Sequence, residues 1–279
     1  MSLGHFIKSY SKINIHLGVV KKEKNDFHSI ETLVSNIDLY DVIYIKQIQN
    51  KKNKIVFTGN YAKGIGRNNT ISKLLNLLED QKIIKKKYLI KIKKNIPLKS
   101  GMGGGSMNAA SLLNFFNKKN KLNLSKKKMV YLCTKIGSDV RLGLNNYSKI
   151  MFGSGEVKSI KKFKSYLIIV MPNFGCSTKR IYQNVKKYSK SHIKISKEYN
   201  LNNCHRLYND LEKPAFKLYP KLADIKKTLQ NLPNIKFARM TGSGSAMIGY
   251  FLRKKDAFHG TKILKKKYKN YWCITSKTI

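Results

Sequence analysis

An α+β fold of two domains is what this sequence predicts, and three observations predict it. Apolar residues make up 42% of the 279, enough to bury a core in each of two modest domains. Segments with strand alternation are mixed with segments of helical periodicity, without the regular βαβ repeat of a doubly wound sheet. The chain also changes character past its midpoint, where helical stretches crowd between short strands. The lysine-rich stretch from Val157 to Lys164 marks the boundary, giving domains 1–155 and 156–279.

Taken in order, Phe6–Leu17, Asp38–Ile48 and Lys54–Phe57 read as strands. Asn69 is a good N-cap for a helix that places Ile71, Leu74, Leu75 and Leu78 on one face. Tyr88–Lys94 alternates again, runs into a glycine-rich loop, and is followed by a helix over Met107–Phe116. Ser125 caps a further helix that Gly137 stops after Ile136. In the second half, Lys149–Phe152 and Tyr166–Met171 read as strands, and Lys179–Lys187 and His205–Leu218 as helices. Pro220 opens a helix that runs to Asn231. Ile235–Met240 and Ser245–Phe251 flank a glycine turn, Thr241–Gly244, as strands. Lys255–Lys267 is helical and Tyr271–Thr275 is a last strand.

No apolar run approaches the roughly 20 residues that span a bilayer. Met1–Lys12 carries polar residues throughout, unlike a signal peptide, so a soluble cytoplasmic protein is expected. Cys133, Cys176, Cys204 and Cys273 form no Cys-x-x-Cys pair, and no Cys or His pair has metal-ligand spacing. Free thiols are the expectation, with no metal ligand assigned to the protein.

Fifty-seven basic residues against 14 acidic give a formal charge of +43, the balance of a nucleic-acid binder. Only six of the 57 are Arg, whose planar fork reads phosphates and bases specifically. The lysines are spread along the chain, as at Lys85–Lys87, Lys126–Lys128 and Lys265–Lys267. Together with abundant Ile and Asn they read as a bias toward A/T-rich codons on solvated faces. Specific nucleic-acid binding is not expected.

The segment that carries chemistry is Pro97-Leu98-Lys99-Ser100-Gly101-Met102-Gly103-Gly104-Gly105-Ser106-Met107. Glycine gives up much backbone entropy on folding, so four in five positions need a reason. Without Cβ atoms the backbone amides can close around an anion, and the helix that follows adds its N-terminal dipole. Ser106 brings a hydroxyl suited to a phosphate oxygen or a metal. The bland alternative is a flexible turn before a helix. It is not a Walker loop, because Gly-x-x-x-x-Gly-Lys-Ser/Thr is absent, and a dinucleotide fingerprint lacks its following βαβ unit. By itself the loop says phosphate.

Three segments read together make the match specific. Pro97–Ala110 resembles the second motif of the GHMP kinases, Pro-x-x-x-Gly-Leu-Gly-Gly-Gly-Ser-Ser. Ser11-Lys12-Ile13-Asn14-Ile15 resembles their first, and Met240-Thr241-Gly242-Ser243-Gly244 their third. Asn25-Asp26-Phe27-His28, Ile37–Asp41, Gly137-Ser138-Asp139-Val140 and Asn209-Asp210-Leu211-Glu212 are similar to segments of one family among them, the 4-diphosphocytidyl-2-C-methyl-D-erythritol kinases. The resemblance covers nearly the whole chain. It implies a two-domain GHMP kinase fold, with an N-terminal domain like the second domain of ribosomal protein S5 and a ferredoxin-like C-terminal domain. ATP and substrate are then expected between the two.

The implied activity is ATP-dependent phosphorylation of the substrate's 2-hydroxyl, giving the 2-phosphate and ADP on the non-mevalonate route to isoprenoid precursors. ATP and Mg²⁺ are the implied cofactors. Asp139 matches the family's catalytic Asp, which takes or orients the hydroxyl proton, and Lys12 its catalytic Lys, which stabilises developing negative charge. Pro97–Met107 matches the segment that wraps the ATP phosphates. Phe27 stands where an aromatic stacks on cytosine, His28 beside it contacts the same base, and Asn14 is near the methylerythritol. Thr178 and Asn209 are expected to line the cleft, with Gly242, Ser243 and Gly244 bringing the third motif close to the first two. Without the resemblance, Phe27 reads equally well as core, His28 as a solvated turn residue, and Asp139 as an ordinary loop carboxylate.

Three departures stand out. Met107-Asn108 replaces the usual Ser-Asp, removing one hydroxyl and one negative charge. Arg141 replaces a usual Pro, either reshaping the catalytic loop or adding a phosphate contact. Phe27 replaces Tyr, keeping the stacking face without the hydroxyl. A GHMP kinase for another alcohol, such as homoserine or mevalonate, is the rival enzyme reading. An RNA-binding protein is the rival from another class.

Overall fold

Two long strands open the chain, β1 (His5–Lys22) and β2 (His28–Ile48). Both outrun the alternation that predicts them. The first half of β2 escapes a sequence reading because Glu31, Thr32, Ser35 and Asn36 are polar yet buried there. The computed structural model describes residues 3–23, 28–119, 122–195 and 198–279. It resolves into two compact units. One comprises Met1–Ser11, Leu39–Leu98 and Gly103–Asn145; the other comprises Lys12–Asp38, Lys99–Met102 and Asn146–Ile279.

In the first unit, β3 (Lys54–Thr58), α1 (Thr70–Asp80) and β4 (Lys87–Lys93) form one βαβ crossover, with β3 and β4 parallel. Val42–Ile48 of β2 pairs antiparallel with β4. Asn69 caps α1 as predicted, accepting from the N–H groups of Ile71 and Ser72 in a capping box. Ile71, Leu74, Leu75 and Leu78 are all buried, each contributing about 1.5–3 kcal/mol. They share a core with Ile90 and Ile92 of β4, and with Leu112, Leu113 and Phe116 of α2 (Gly104–Lys119). Helix α2 starts three residues before its predicted start, because three of the loop's residues already belong to its first turn. Ser125 and Gly137 bound α3 (Lys126–Ile136) as the sequence predicts.

In the second unit, Thr32–Val34 of β2 pairs with β5 (Ser148–Met151), and β5 with β6 (Val157–Ile160). The lysine-rich boundary stretch is thus partly a strand. The remainder runs β7 (Tyr166–Met171), α4 (Thr178–Gln183), α5 (Leu201–Cys204), α6 (Glu212–Leu218), α7 (Lys221–Gln230), β8 (Phe237–Met240), β9 (Met247–Phe251), α8 (Lys254–Lys267) and β10 (Trp272–Lys277). Its antiparallel sheet has the order β10-β7-β9-β8, the ferredoxin-like arrangement. Of the predicted helix His205–Leu218 only the second half is helical, as α6; α5 ends just before it, and His205–Leu211 is turn and extended chain. Strands and helices mixed in this way make the fold α+β. Among the described residues, no helix is long and apolar enough to cross a membrane.

Candidate active site

The site begins with a buried lysine. Lys12, on β1, is 3% exposed, and an ammonium removed from water needs hydrogen-bond acceptors. Its Nζ donates to Asn14 Oδ1 at 2.6 Å. Asn14 is held in turn: its Nδ2 donates to Thr32 Oγ1 (2.8 Å) and its backbone N–H to Thr241 Oγ1 (2.9 Å). The amide therefore presents its oxygen, not its nitrogen, to Lys12.

The centre of the glycine loop lies in the same unit. Lys12 N–H donates to Met102 O (3.1 Å), Ser245 N–H to Lys99 O (3.0 Å) and Ala246 N–H to Ser100 O (3.2 Å). Gly101 has φ +76°, and a Cβ there would stand 2.0 Å from the Thr241 carbonyl oxygen. At Gly242, φ +54°, a Cβ would stand 3.0 Å from Gly101 O, so the two turns approach from both sides. Only residues without Cβ fit this mutual approach. Asn209 Nδ2 braces the turn by donating to Met240 O and Gly242 O, both at 2.8 Å. Segments 12–14, 99–102 and 241–246 thus meet within one unit. Ser243 Oγ lies 2.8 Å from Thr178 Oγ1, at the start of α4. Gly244 (φ +79°) completes the turn.

His28 opens β2, half-buried, with its ring 5.1 Å from Tyr182 and 6.4 Å from Tyr188. Phe27 lies outside the described residues. Sequence reasoning missed Tyr182, although it falls four residues after Thr178, on the same face of α4. It also missed Glu31. Burial alone would raise this carboxyl, but hydrogen bonds from His16, Ser191 and the His192 backbone outweigh burial and hold it down at about 2. Ser191 Oγ is 2.5 Å and His192 N 2.6 Å from its oxygens, while His16 Nε2 stands farther off at 3.4 Å. A cavity of about 710 Å³ in this unit is bordered by Val185, Tyr208, Asn209 and Phe216. Neither Lys12 nor Asn14 lines it.

The first unit holds the ends of the loop and Asp139. Pro97 and Leu98 lead in; Gly103, Gly104, Gly105, Ser106 and Met107 lead out. Because α2 starts at Gly104, the amides of its first turn have no intrahelical acceptor, the arrangement that binds anions. Asp139 is half-buried and precedes a 3-10 turn, Val140–Gly143, in which Leu142 N–H bonds to Asp139 O at 3.1 Å. Arg141, the residue in place of a usual Pro, donates from Nη2 to Thr134 Oγ1 (2.7 Å), tying this turn back onto α3. Among the described residues, no group of three His, Cys, Asp or Glu could hold a metal ion.

Family models match both halves of the chain: the GHMP kinases N-terminal domain over residues 69–154 and the GHMP kinases C-terminal region over 189–270. The 4-diphosphocytidyl-2-C-methyl-D-erythritol kinase of Pelagibacter ubique is 46% identical over 277 residues, covering 98% of each chain. That of Thermodesulfovibrio yellowstonii is 33% identical, covering 98% of this chain and 97% of its own. Among solved structures, a 4-(cytidine 5'-diphospho)-2C-methyl-D-erythritol kinase superposes with a TM-score of 0.77 at 22% identity, covering 98% of this chain and 99% of its own. A homoserine kinase from Cytophaga hutchinsonii gives 0.70 at 14% identity, over 99% and 94%. At these identities the solved structures speak for the fold.

Proposed function

This chain belongs to the 4-diphosphocytidyl-2-C-methyl-D-erythritol kinase family of GHMP kinases, and on that membership we propose that it transfers a phosphoryl group from ATP to the 2-hydroxyl of 4-diphosphocytidyl-2-C-methyl-D-erythritol. The products are the 2-phosphate and ADP. The observation that carries the reading is the meeting of Lys12 and Asn14 with the centre of the glycine loop and the Thr241–Gly244 turn.

Phosphoryl transfer needs positioning and charge stabilisation more than covalent chemistry. Asp139 accepts the hydroxyl proton as the oxygen attacks, and the Lys12 ammonium, oriented by Asn14, stabilises the negative charge that develops. The amides of Pro97–Met107 and the N-terminal dipole of α2 hold the phosphates. His28 and Phe27 recognise the cytosine, with Tyr182 offering a second ring beside His28. Asn14 and Thr178 contact the remainder of the substrate.

Mg²⁺ fits as an ion carried by the nucleotide rather than by a protein cage, since the described residues supply no three-ligand cluster. Ser106 and Asp139 are the side-chain oxygens that would face it, and bound there it neutralises phosphate charge. The cytoplasm is the proposed location, and a small molecule the proposed partner. The lysine tracts at 85–87, 126–128 and 265–267 lie on exposed or half-exposed surface, as solvated faces do. The linear division at 155/156 belongs to the same proposal, with one family model matching on each side of it.

A coupled ADP-release assay with the cytidyl substrate, ATP and Mg²⁺ tests the reading, beside homoserine and mevalonate. Turnover with the cytidyl substrate alone is expected; turnover only with another alcohol overturns it. Asp139→Asn should retain ATP binding and lose about 10²–10⁴ in turnover, the range for removing a general base. Near-normal turnover in that variant would sink the role of Asp139.

A further inference from the structure

A loop that closes its amides around an anion must have its ends held at a fixed spacing beforehand. In the first unit one side chain meets residues at both ends. Asp41, on β2, is fully buried. Its Oδ1 accepts the backbone N–H groups of Asn95 (2.7 Å) and Ile96 (2.9 Å), just before Pro97. Its Oδ2 accepts Asn108 Nδ2 (2.9 Å), just after Met107, and also the ammonium of Lys94. The Lys94 ammonium lies against the first turn of α2, 3.2 Å from where a Cβ on Gly104 would stand.

We propose that Asp41 is a positioning residue for the glycine loop: with Lys94 and Asn108 it ties both ends of Pro97–Met107 to one carboxylate, and so sets the affinity for the nucleotide. This rests on the reading of the loop as the ATP phosphate site. A carboxylate offers about four acceptor positions, and here four donors occupy them. The loop then does not have to be ordered by the ligand, which is where preorganisation gains affinity.

Asn108 supports the same conclusion from the other side. Its Nδ2 faces Asp41, which leaves its Oδ1 buried with no hydrogen-bond partner among the described residues. An orphaned buried acceptor is costly, so the bond to Asp41 must outweigh it. The family's usual Asp at this position would instead set a second carboxylate against Asp41. The departure noted in the sequence is therefore what allows the loop's far end to be tied in this way.

The test is amide hydrogen exchange over 93–110, with ATP titration by calorimetry and separate KM values for ATP and the sugar alcohol. Asp41→Asn should weaken ATP binding about tenfold or more, the effect of losing a charged hydrogen bond. The KM for the sugar alcohol should stay within about twofold, and exchange should accelerate selectively in the loop. Asn108→Ala, which cuts only the far tie, should show the same signature at about threefold. Adding Lys94→Met to Asp41→Asn should recover part of the ATP affinity, because it removes an ammonium left buried without its counter-charge. Should Asp41→Asn not fold, Asn108→Ala carries the test alone. Unchanged ATP affinity and loop exchange in a folded variant overturn the proposal. So does a loss spread evenly over both KM values and over exchange throughout the unit. Failure of the wild type to turn over the cytidyl substrate is a separate result: it removes the proposed function, while the ATP titrations still decide the tie.

Discussion

Two buried lysines, one in each unit, are each fixed by a different kind of acceptor. Lys94, 2% exposed, faces the carboxylate of Asp41, which cancels its charge and locks its position. Lys12, 3% exposed, donates to the amide oxygen of Asn14, which orients the ammonium. The first arrangement suits a scaffold. The second suits a group that must answer a negative charge appearing only during reaction. Burial by itself does not make the distinction. Lys149 is fully buried too, and burial pushes its ammonium down to about 7.

The largest effect should come from breaking the locked pair. Lys94→Met leaves Asp41 buried with uncompensated charge and should cost about 3–5 kcal/mol in urea unfolding. The kcat of the folded fraction should change by no more than a few-fold. Lys12→Met should do the reverse: stability within about 1 kcal/mol of wild type, and kcat lower by about 10²–10³. If the two variants exchanged signatures, the assignment of scaffold and chemistry to these lysines would be wrong.

A smaller effect separates two left-handed glycines, one from each unit. Gly64, at φ +88°, has no neighbouring atom within 4 Å of where a Cβ would stand, so Gly64→Ala should cost only the backbone penalty of about 1 kcal/mol. Gly101→Ala adds a collision with the Thr241 carbonyl and should cost more than about 2 kcal/mol, with ATP affinity falling alongside. Equal costs in thermal unfolding would mean that the Gly101 and Gly242 turns do not depend on each other's close approach.

Local signals were legible in the sequence wherever the physics is local. The caps at Asn69 and Ser125, the stop at Gly137 and the apolar face of α1 each depend on residues within one or two turns. The anion-binding character of the glycine loop followed from composition and its strand–helix setting. Illegible were the features set by distant partners. His28–Ile37 did not read as a strand because Glu31, Thr32 and Ser35 find their partners at Ser191, His192, Asn14 and Ser148. Asp41 shows in the sequence only as part of a family segment, since its donors lie 53 to 67 residues further along the chain. Tyr182 was within reach through its i, i+4 spacing from Thr178, but an aromatic on a short helix is ordinarily core.

Glu31 extends the comparison from lysines to a carboxylate. Its folded-state value of about 2 lies below the ordinary 4.5, so its ionised form is favoured by folding. That stability is fully present above about pH 5 and is lost as the pH falls toward 2. About 2 kcal/mol should disappear between pH 6 and pH 3. Glu31→Gln isolates this from the general acid sensitivity of a chain with charge +43. The stability gap between wild type and variant should therefore narrow by that amount over the same range, read from urea midpoints at each pH. A gap that stayed constant would mean that the donors from His16, Ser191 and His192 hold the Glu31 side chain without favouring its charge. Glu31 would then be oriented by its neighbours and not, like Lys94, held by a charge-selective pairing.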